Sequence, residues 1–185
     1  MRKTLVVLAL MLVASGAVCR PAGAAAPPAP AAASPLDPVR FLLGTWQGEG
    51  GGQPGQGSGS ASFSLDLDGR VVLRRNHAEY PGSAGKPAVV HNDLMVIYPG
   101  PGTGRLEAVY FDNEGHVIEY ALEVSPDGRR IVLTSEAQSS KPTFRLTYAK
   151  VADDVVDVVF EIAPPGAPAA FNPYVSGRTR RVAGE

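Results

Sequence analysis

Cysteine is almost absent from this chain of 185 residues. The single one, Cys19, lies in an apolar N-terminal segment, so the rest of the sequence offers no disulfide and no thiol chemistry. An apolar run long enough to span a bilayer comfortably is also missing, because the run from Leu5 to Val13 is too short. Basic residues are not in excess, since 17 Lys and Arg stand against 18 Asp and Glu. We therefore expect neither a membrane span nor a nucleic-acid partner.

Motifs typical of enzymes and metal sites are missing as well. The three histidines, His77, His91 and His116, show neither the His-x-His nor the His-x-x-x-His spacing of metal ligands. The nucleophile motif Gly-x-Ser-x-Gly and a phosphate-binding loop are also absent. The sequence therefore predicts no metal and no cofactor.

The N-terminal segment, residues 1–24, is typical of a signal peptide. Arg2 and Lys3 precede the apolar run, and Ala22-Gly23-Ala24 provides a small-x-small cleavage site. Cleavage there leaves 14 basic and 18 acidic residues, a formal charge of −4. We expect an exported protein, periplasmic or extracellular. Lipid attachment at Cys19 is the alternative, although Val18 stands where a small residue is usual.

Two segments of biased composition border the start of the globular domain. Residues 25–35 are almost entirely Ala and Pro, which predicts a disordered or polyproline-like tether. The domain itself is expected over 36–185. Within it, the glycine-rich stretch 50–59 predicts a flexible connection, with a lid over a binding site as the alternative.

The domain is expected to begin with a short helix and to continue as strands. Pro38 suits a first helical turn, Val39, Leu42 and Leu43 share one face, and Gly44 ends the helix. Turn signals at Asp68-Gly69, Glu114-Gly115 and Asp127-Gly128 then separate alternating apolar and polar runs. The predicted strands are 44–50, 60–66, 70–80, 88–98, 105–112, 116–123, 130–137, 142–150, 154–162 and 170–182.

Sequentially linked strands with no helical period between them predict an all-β fold. The expected architecture is an antiparallel up-and-down barrel of 8–10 strands with a short N-terminal helix. Such a barrel has an interior that side chains fill, with room for one small ligand at most.

The segment Leu42-Leu43-Gly44-Thr45-Trp46-Gln47-Gly48-Glu49-Gly50 resembles the opening of calycin barrels. It is similar to nitrobindin-type proteins and to lipocalin-like domains of bacterial secreted proteins. The resemblance implies a lipocalin-like barrel in which a late basic residue, Arg178 or Arg180, packs across Trp46, with a solvated basic tail as the alternative. It does not carry over the haem ligand of nitrobindins, a histidine near the C-terminus, because no histidine follows His116.

Alternation assigns the inner face of four strands. Outward Glu107, Glu119, Asp157 and Arg145 fix the phase, because charged side chains face water. The positions expected inside are Leu106, Ala108, Tyr110 and Asp112; His116, Ile118, Tyr120 and Leu122; Val156, Val158, Phe160 and Ile162; and Phe144, Leu146 and Tyr148.

The strands 70–80 and 88–98 are ambiguous, because a shift of one residue exchanges their faces. Our hypothesis places Val71, Leu73, Arg75, His77 and Glu79 inside from the first strand, and Val89, His91, Asp93, Met95 and Ile97 from the second. Polar side chains from adjacent strands would then converge on one ligand-binding patch. The candidate residues of that patch are Arg75, His77, His91, Asp93, Tyr110, Asp112, His116 and Tyr120.

Three functions fit this hypothesis. The leading one is non-enzymatic binding of a small, partly apolar molecule that the polar patch orients. The second is a hydrolase or isomerase in which His77, His91 or His116 works with Asp93 or Asp112. The third is a structural or envelope-interaction protein whose barrel is full of side chains and whose polar residues lie at the rim and in turns, where polar side chains are common.

Overall fold

The computed structural model describes residues 33–49, 58–82 and 87–182. The predicted signal peptide, the tether up to residue 32 and residues 50–57 of the glycine-rich stretch lie outside these ranges. A 3-10 helix, Asp37–Leu42, comes first. Ten strands follow: β1 (Gly44–Gly48), β2 (Ser58–Asp66), β3 (Val71–Tyr80), β4 (Val89–Pro99), β5 (Leu106–Asp112), β6 (Val117–Val124), β7 (Arg130–Ser135), β8 (Thr143–Ala152), β9 (Val155–Ala163) and β10 (Asn172–Arg181).

The ten strands form a closed antiparallel barrel. Each strand pairs with its neighbours in sequence, and β1 closes the ring by pairing with β10. The predicted all-β, up-and-down barrel is therefore confirmed, and it is compatible with a lipocalin-like fold. Within the described ranges, no helix is both long and apolar enough to cross a membrane.

The 3-10 helix seals one end of the barrel, which we call the floor. Pro38 lies in its first turn, where the missing N–H of proline is tolerated. Val39 and Leu42 are fully buried, because they belong to one apolar cluster with strand residues such as Trp46, Phe63 and Val72. The buried side chains nearest this end are almost all apolar; they include Val72, Ile97, Leu106, Leu122 and Ile131.

Two side chains satisfy the carbonyl groups at the end of the helix, which have no partner inside it. The indole Nε1 of Trp46 donates to the carbonyl oxygen of Leu42 at 2.6 Å. The guanidinium of Arg181 donates to the carbonyl oxygen of Leu43, and to that of Phe41 at 2.8 Å. The same guanidinium lies 4.2 Å from the centre of the Trp46 ring. Helix, first strand and last strand are thereby joined at the floor.

The cation over Trp46 is Arg181, so the expectation of Arg178 or Arg180 is wrong. Arg181 lies opposite Trp46 in the β1–β10 pairing, and opposed residues share a face of the sheet. Arg178 and Arg180 are on the outer face, where each pairs with carboxylates. Gly44 is required beside this contact, because its φ is +113° and a Cβ there would lie 2.6 Å from Arg181 Nη1.

Candidate functional site

The pairing of β3 with β4 decides which polar residues enter the barrel. Asn76 lies opposite Asp93, and Arg74 lies opposite Met95. Met95 is fully buried and Asp93 is 8% exposed, so the inner face of β4 is the one we expected. Because opposed residues share a face, the inner positions of β3 are Val72, Arg74, Asn76, Ala78 and Tyr80.

The hypothesis that Arg75, His77 and Glu79 point inward is therefore wrong. The β3–β4 register sets even-numbered residues of β3 against odd-numbered residues of β4, so both odd sets cannot face inward. His77 lies on the outer face, with its ring nitrogens 2.7 Å from Asn92 Oδ1 and 2.9 Å from Glu79 Oε1. Hydrogen bonds to Asn92 and Glu79 raise the pKa of His77. Arg75 is exposed on the same outer face.

A buried ion pair stands in the middle of the inner wall. Arg74 Nη1 donates to Asp93 Oδ1 at 2.6 Å, and both residues are 8% exposed. Asn76 Nδ2 donates to Asp93 Oδ2 at 2.9 Å, and His91 Nε2 lies 3.4 Å from the same oxygen. Asp93 therefore shares its two oxygens among three donors, as a buried carboxylate requires.

His91 connects this ion pair to the open end of the barrel, which we call the mouth. Its Nε2 lies 3.1 Å from the hydroxyl of Tyr110, and its Nδ1 lies 3.0 Å from Glu114 Oε1. The hydrogen bond to Asp93 is the main cause that raises the pKa of His91 to about 9; burial opposes it and Glu114 adds to it. His91 is therefore a cation near neutral pH and is poorly suited to act there as a general base.

Asp112 ends the polar chain at the mouth. It accepts a hydrogen bond from the Tyr110 hydroxyl at 3.2 Å, and its Oδ2 lies 2.8 Å from His116 Nδ1. Its other oxygen accepts the backbone N–H groups of Glu114 and His116 at 3.0 and 2.9 Å. Burial acts to raise the pKa of Asp112, but the hydrogen bonds from His116 and Glu114 lower it. This carboxylate therefore anchors the β5–β6 turn.

The structure brings together most, but not all, of the candidate residues. The inner polar groups of β3, β4 and β5 form one hydrogen-bonded chain, which we call the polar wall. Tyr120 is buried on β6, where it lies in the electrostatic field of Arg74. The polar wall consists of Arg74, Asn76, His91, Asp93, Tyr110 and Asp112, with His116 attached at the mouth and Arg75 and His77 outside.

A cavity of about 160 Å³ lies beside the polar wall. Gly48, Gly59 and Gly177 line it from three strands, and at Gly177 the missing side chain leaves open space. The residues that line it on the apolar side include Trp46, Phe63, Val156, Val158 and Val175, and those on the polar side include Arg74, Asn76 and Tyr148.

Two residues that line this cavity each carry a buried donor atom with no hydrogen-bond partner among the described residues. The two donors are Arg74 Nε and the hydroxyl of Tyr148. Burial is the main cause that raises the pKa of Tyr148 to about 12, so its hydroxyl keeps the proton. The sequence hypothesis placed Tyr148 inside but gave it no role, and it missed Arg74. The sequence does contain a signal for Arg74. The face of β3 that carries Arg74 has one charged residue, whereas the opposite face has Arg75, His77 and Glu79 and is harder to bury.

Two comparisons with known proteins found no match. No protein-family model matches the sequence, and no curated protein matches it. In ranges 33–49, 58–82 and 87–182, no three His, Cys, Asp or Glu side chains are grouped so as to hold a metal ion.

We expect the stability of the barrel to fall between about pH 6.5 and pH 9. The pKa of His91 is higher in the folded chain than in the unfolded one. Its contribution to stability is therefore complete below the pKa of the unfolded chain and is lost as pH rises through about 9. The groups that face it are Asp93, Glu114 and Tyr110. Urea unfolding followed by circular dichroism should show a loss of about 2 kcal/mol across this window.

The matched variants for this measurement are His91→Gln and His116→Gln. We expect His91→Gln to reduce the pH dependence, because the ring with the largest shift is gone and only the exposed His77 keeps a raised pKa. His116→Gln is the control for the loss of a histidine outside the inner ion pair, since 58% of the His116 side chain is exposed. Equal slopes for the wild type and His91→Gln would contradict the assignment of His91 as a buried cation.

Proposed function

We propose that the protein is an exported barrel that binds one small, partly apolar molecule in its interior. The observation that carries this proposal is the cavity of about 160 Å³ beside Arg74 and Trp46. A void of similar size with apolar walls has room for a single benzene ring. The signal-like segment 1–24 is the basis for export, and the lipocalin-like opening at Trp46 supports a calycin relationship.

The two sides of the cavity favour a molecule with two different ends. Arg74 and Asn76 present hydrogen-bonding groups from β3. Val156 and Val158 of β9 and Val175 of β10 line it with apolar side chains, and Ser176, Arg178 and Thr179 of β10 add polar groups. Ligand sites combine a mainly apolar lining with a few polar groups that fix orientation, and this cavity has that composition.

Gly177 offers a direct test of where binding takes place. A Cβ built at Gly177 meets nothing within 4 Å, so a larger residue can enter the cavity without a clash at that atom. We expect benzyl alcohol to change the emission of Trp46, the only tryptophan of the chain, in a saturable way. The dissociation constant should be roughly 0.1–1 mM, as is typical of so small a ligand.

Gly177→Leu should abolish this change, because the leucine side chain occupies the ligand's space. Gly177→Ala is the matched control and should retain binding within about threefold, since it adds a single methyl group. Circular dichroism should show both variants folded. Absence of a saturable signal in the wild type, or unchanged binding in Gly177→Leu, would contradict the proposal.

A further inference from the structure

Resting on this binding function, we propose that the bound molecule carries a carboxylate, which Arg74 and Tyr148 receive. The ligand class is a small aromatic or branched aliphatic carboxylic acid, about as large as benzoate. Its carboxylate would lie against the polar wall and its apolar body against β9 and β10.

Arg74 has an unused edge that suits a carboxylate. A guanidinium carries five N–H donors in a fixed plane, and Nε and Nη2 together can grip the two oxygens of one carboxylate. Among the described residues, Arg74 donates to Asp93 only through Nη1, while its Nε has no partner. Asp93 is also shared with Asn76 and His91, so it neutralises Arg74 only in part.

Tyr148 adds a second donor close to the same charge. Its residue is 3% exposed and lines the cavity, and its hydroxyl has no partner among the described residues. Tyr148 lies on β8 and Arg74 on β3, and the charge of Arg74 acts on the Tyr148 hydroxyl. A ligand oxygen between the two would satisfy both donors at once, and buried donors are costly to leave unsatisfied.

The distribution of unsatisfied groups favours an acceptor with two oxygens. Three buried side-chain atoms lack a partner in the described part of the chain, and the third is Thr143 Oγ1. Arg74 and Tyr148 line the cavity, whereas Thr143 does not. Both groups on the cavity are donors, and Arg74 is positively charged. A neutral amide offers them one acceptor oxygen, whereas a carboxylate offers two and a compensating charge.

The test compares benzoate with benzamide, which has nearly the same shape but no charge. Calorimetric titration of the wild-type protein at pH 7 should show benzoate binding at least 10-fold more tightly than benzamide. Tyr148→Phe should weaken the binding of benzoate about 10-fold and that of benzamide less than threefold, because the variant loses one hydrogen bond to a charged group. Arg74→Lys should also weaken benzoate selectively, since lysine keeps the charge but loses the planar fork.

Tyr80→Phe is the matched control, because Tyr80 also lines the cavity but has no part in the proposed contact. It should change neither affinity by more than threefold. Tyr148→Phe should fold as the wild type does, since it removes only an unpartnered hydroxyl, so its result remains interpretable even where Arg74→Lys unfolds.

The outcomes separate this inference from the function on which it rests. Binding of benzyl alcohol and benzamide as tight as that of benzoate would keep the binding function and overturn the carboxylate. Equal effects of Tyr148→Phe and Tyr80→Phe on benzoate would overturn the role of Tyr148. If benzoate, benzamide and benzyl alcohol all fail to bind, both proposals are overturned.

Discussion

Asp93→Asn should lower the free energy of unfolding by about 3–5 kcal/mol, because it leaves the charge of Arg74 buried without a counter-charge. Arg74 and Asp93 are joined at 2.6 Å and both are nearly excluded from water. Since a domain is stable by only about 5–15 kcal/mol, this loss is a large share of the total. Urea unfolding followed by circular dichroism measures it.

Arg74→Met should cost less, about 1–2 kcal/mol, because Asp93 keeps other donors when Arg74 is removed. Asn76 still donates to it at 2.9 Å, and the cationic ring of His91 lies 3.4 Å away. The double variant that combines Arg74→Met with Asp93→Asn has no unpaired guanidinium, so it should be more stable than Asp93→Asn alone. A double-mutant cycle reports this coupling directly.

An ion pair on the outer face provides the control. Arg178 bonds Asp157 with two nitrogens, at 2.6 and 2.9 Å, but 49% and 37% of the two side chains are exposed. Asp157→Asn should therefore cost no more than about 1 kcal/mol. Equal losses for Arg74→Met and Asp93→Asn would contradict the shared role of Asp93, and a loss under 1 kcal/mol for Asp93→Asn would contradict its buried pairing.

Trp46→Ala should lower the free energy of unfolding by about 3–5 kcal/mol, as expected for a large buried ring replaced by a methyl group. The ring is 2% exposed, and its truncation also leaves the Leu42 carbonyl without its donor and removes the surface on which Arg181 lies. Urea unfolding followed by circular dichroism measures the loss without relying on tryptophan emission.

Arg181→Lys separates the two contributions at the floor. Lysine keeps the positive charge over Trp46, but it cannot hold the carbonyl oxygens of Phe41 and Leu43 in the way the planar guanidinium does. We expect a loss of about 1–2 kcal/mol. Val117→Ala is the control, since Val117 is 64% exposed, and should stay within about 0.5 kcal/mol. A Trp46→Ala loss as small as that of Val117→Ala would contradict the closure of the floor by Trp46.

Strand order and most inner faces could be predicted from the sequence, because turn dipeptides and alternation are local signals. The turn dipeptides Asp68-Gly69 and Glu114-Gly115 predict that the strands on either side of each pair as a hairpin. Alternation predicts that Tyr120 and Tyr148 are buried, as they are. The barrel follows from these hairpins, since ten strands joined to their neighbours leave only the pair β1–β10 to close the ring.

Alternation does not fix the inner face of β3, because that face depends on the β3–β4 register; the smaller number of ionisable residues on the Arg74 face is the signal that favours it. Both sets of alternate residues in β3 contain apolar and charged members, so alternation alone does not choose between Arg74 and Arg75. For the same reason, the site contains Asn76 where the sequence hypothesis placed His77. The position of Arg181 was missed because neighbouring arginines at 178, 180 and 181 look alike until the pairing with β1 is known.

Closure of the ring between β1 and β10 sets the order in which the chain can fold. Phe41 and Arg181, which meet at the floor, are 140 residues apart along the chain, so their contact carries a high loop-closure entropy. Folding of such non-local topologies is slow. Before β10 joins, β1 and β9 each present an open edge to which another chain can pair. Until β1 pairs with β10, we therefore expect aggregation to compete with folding.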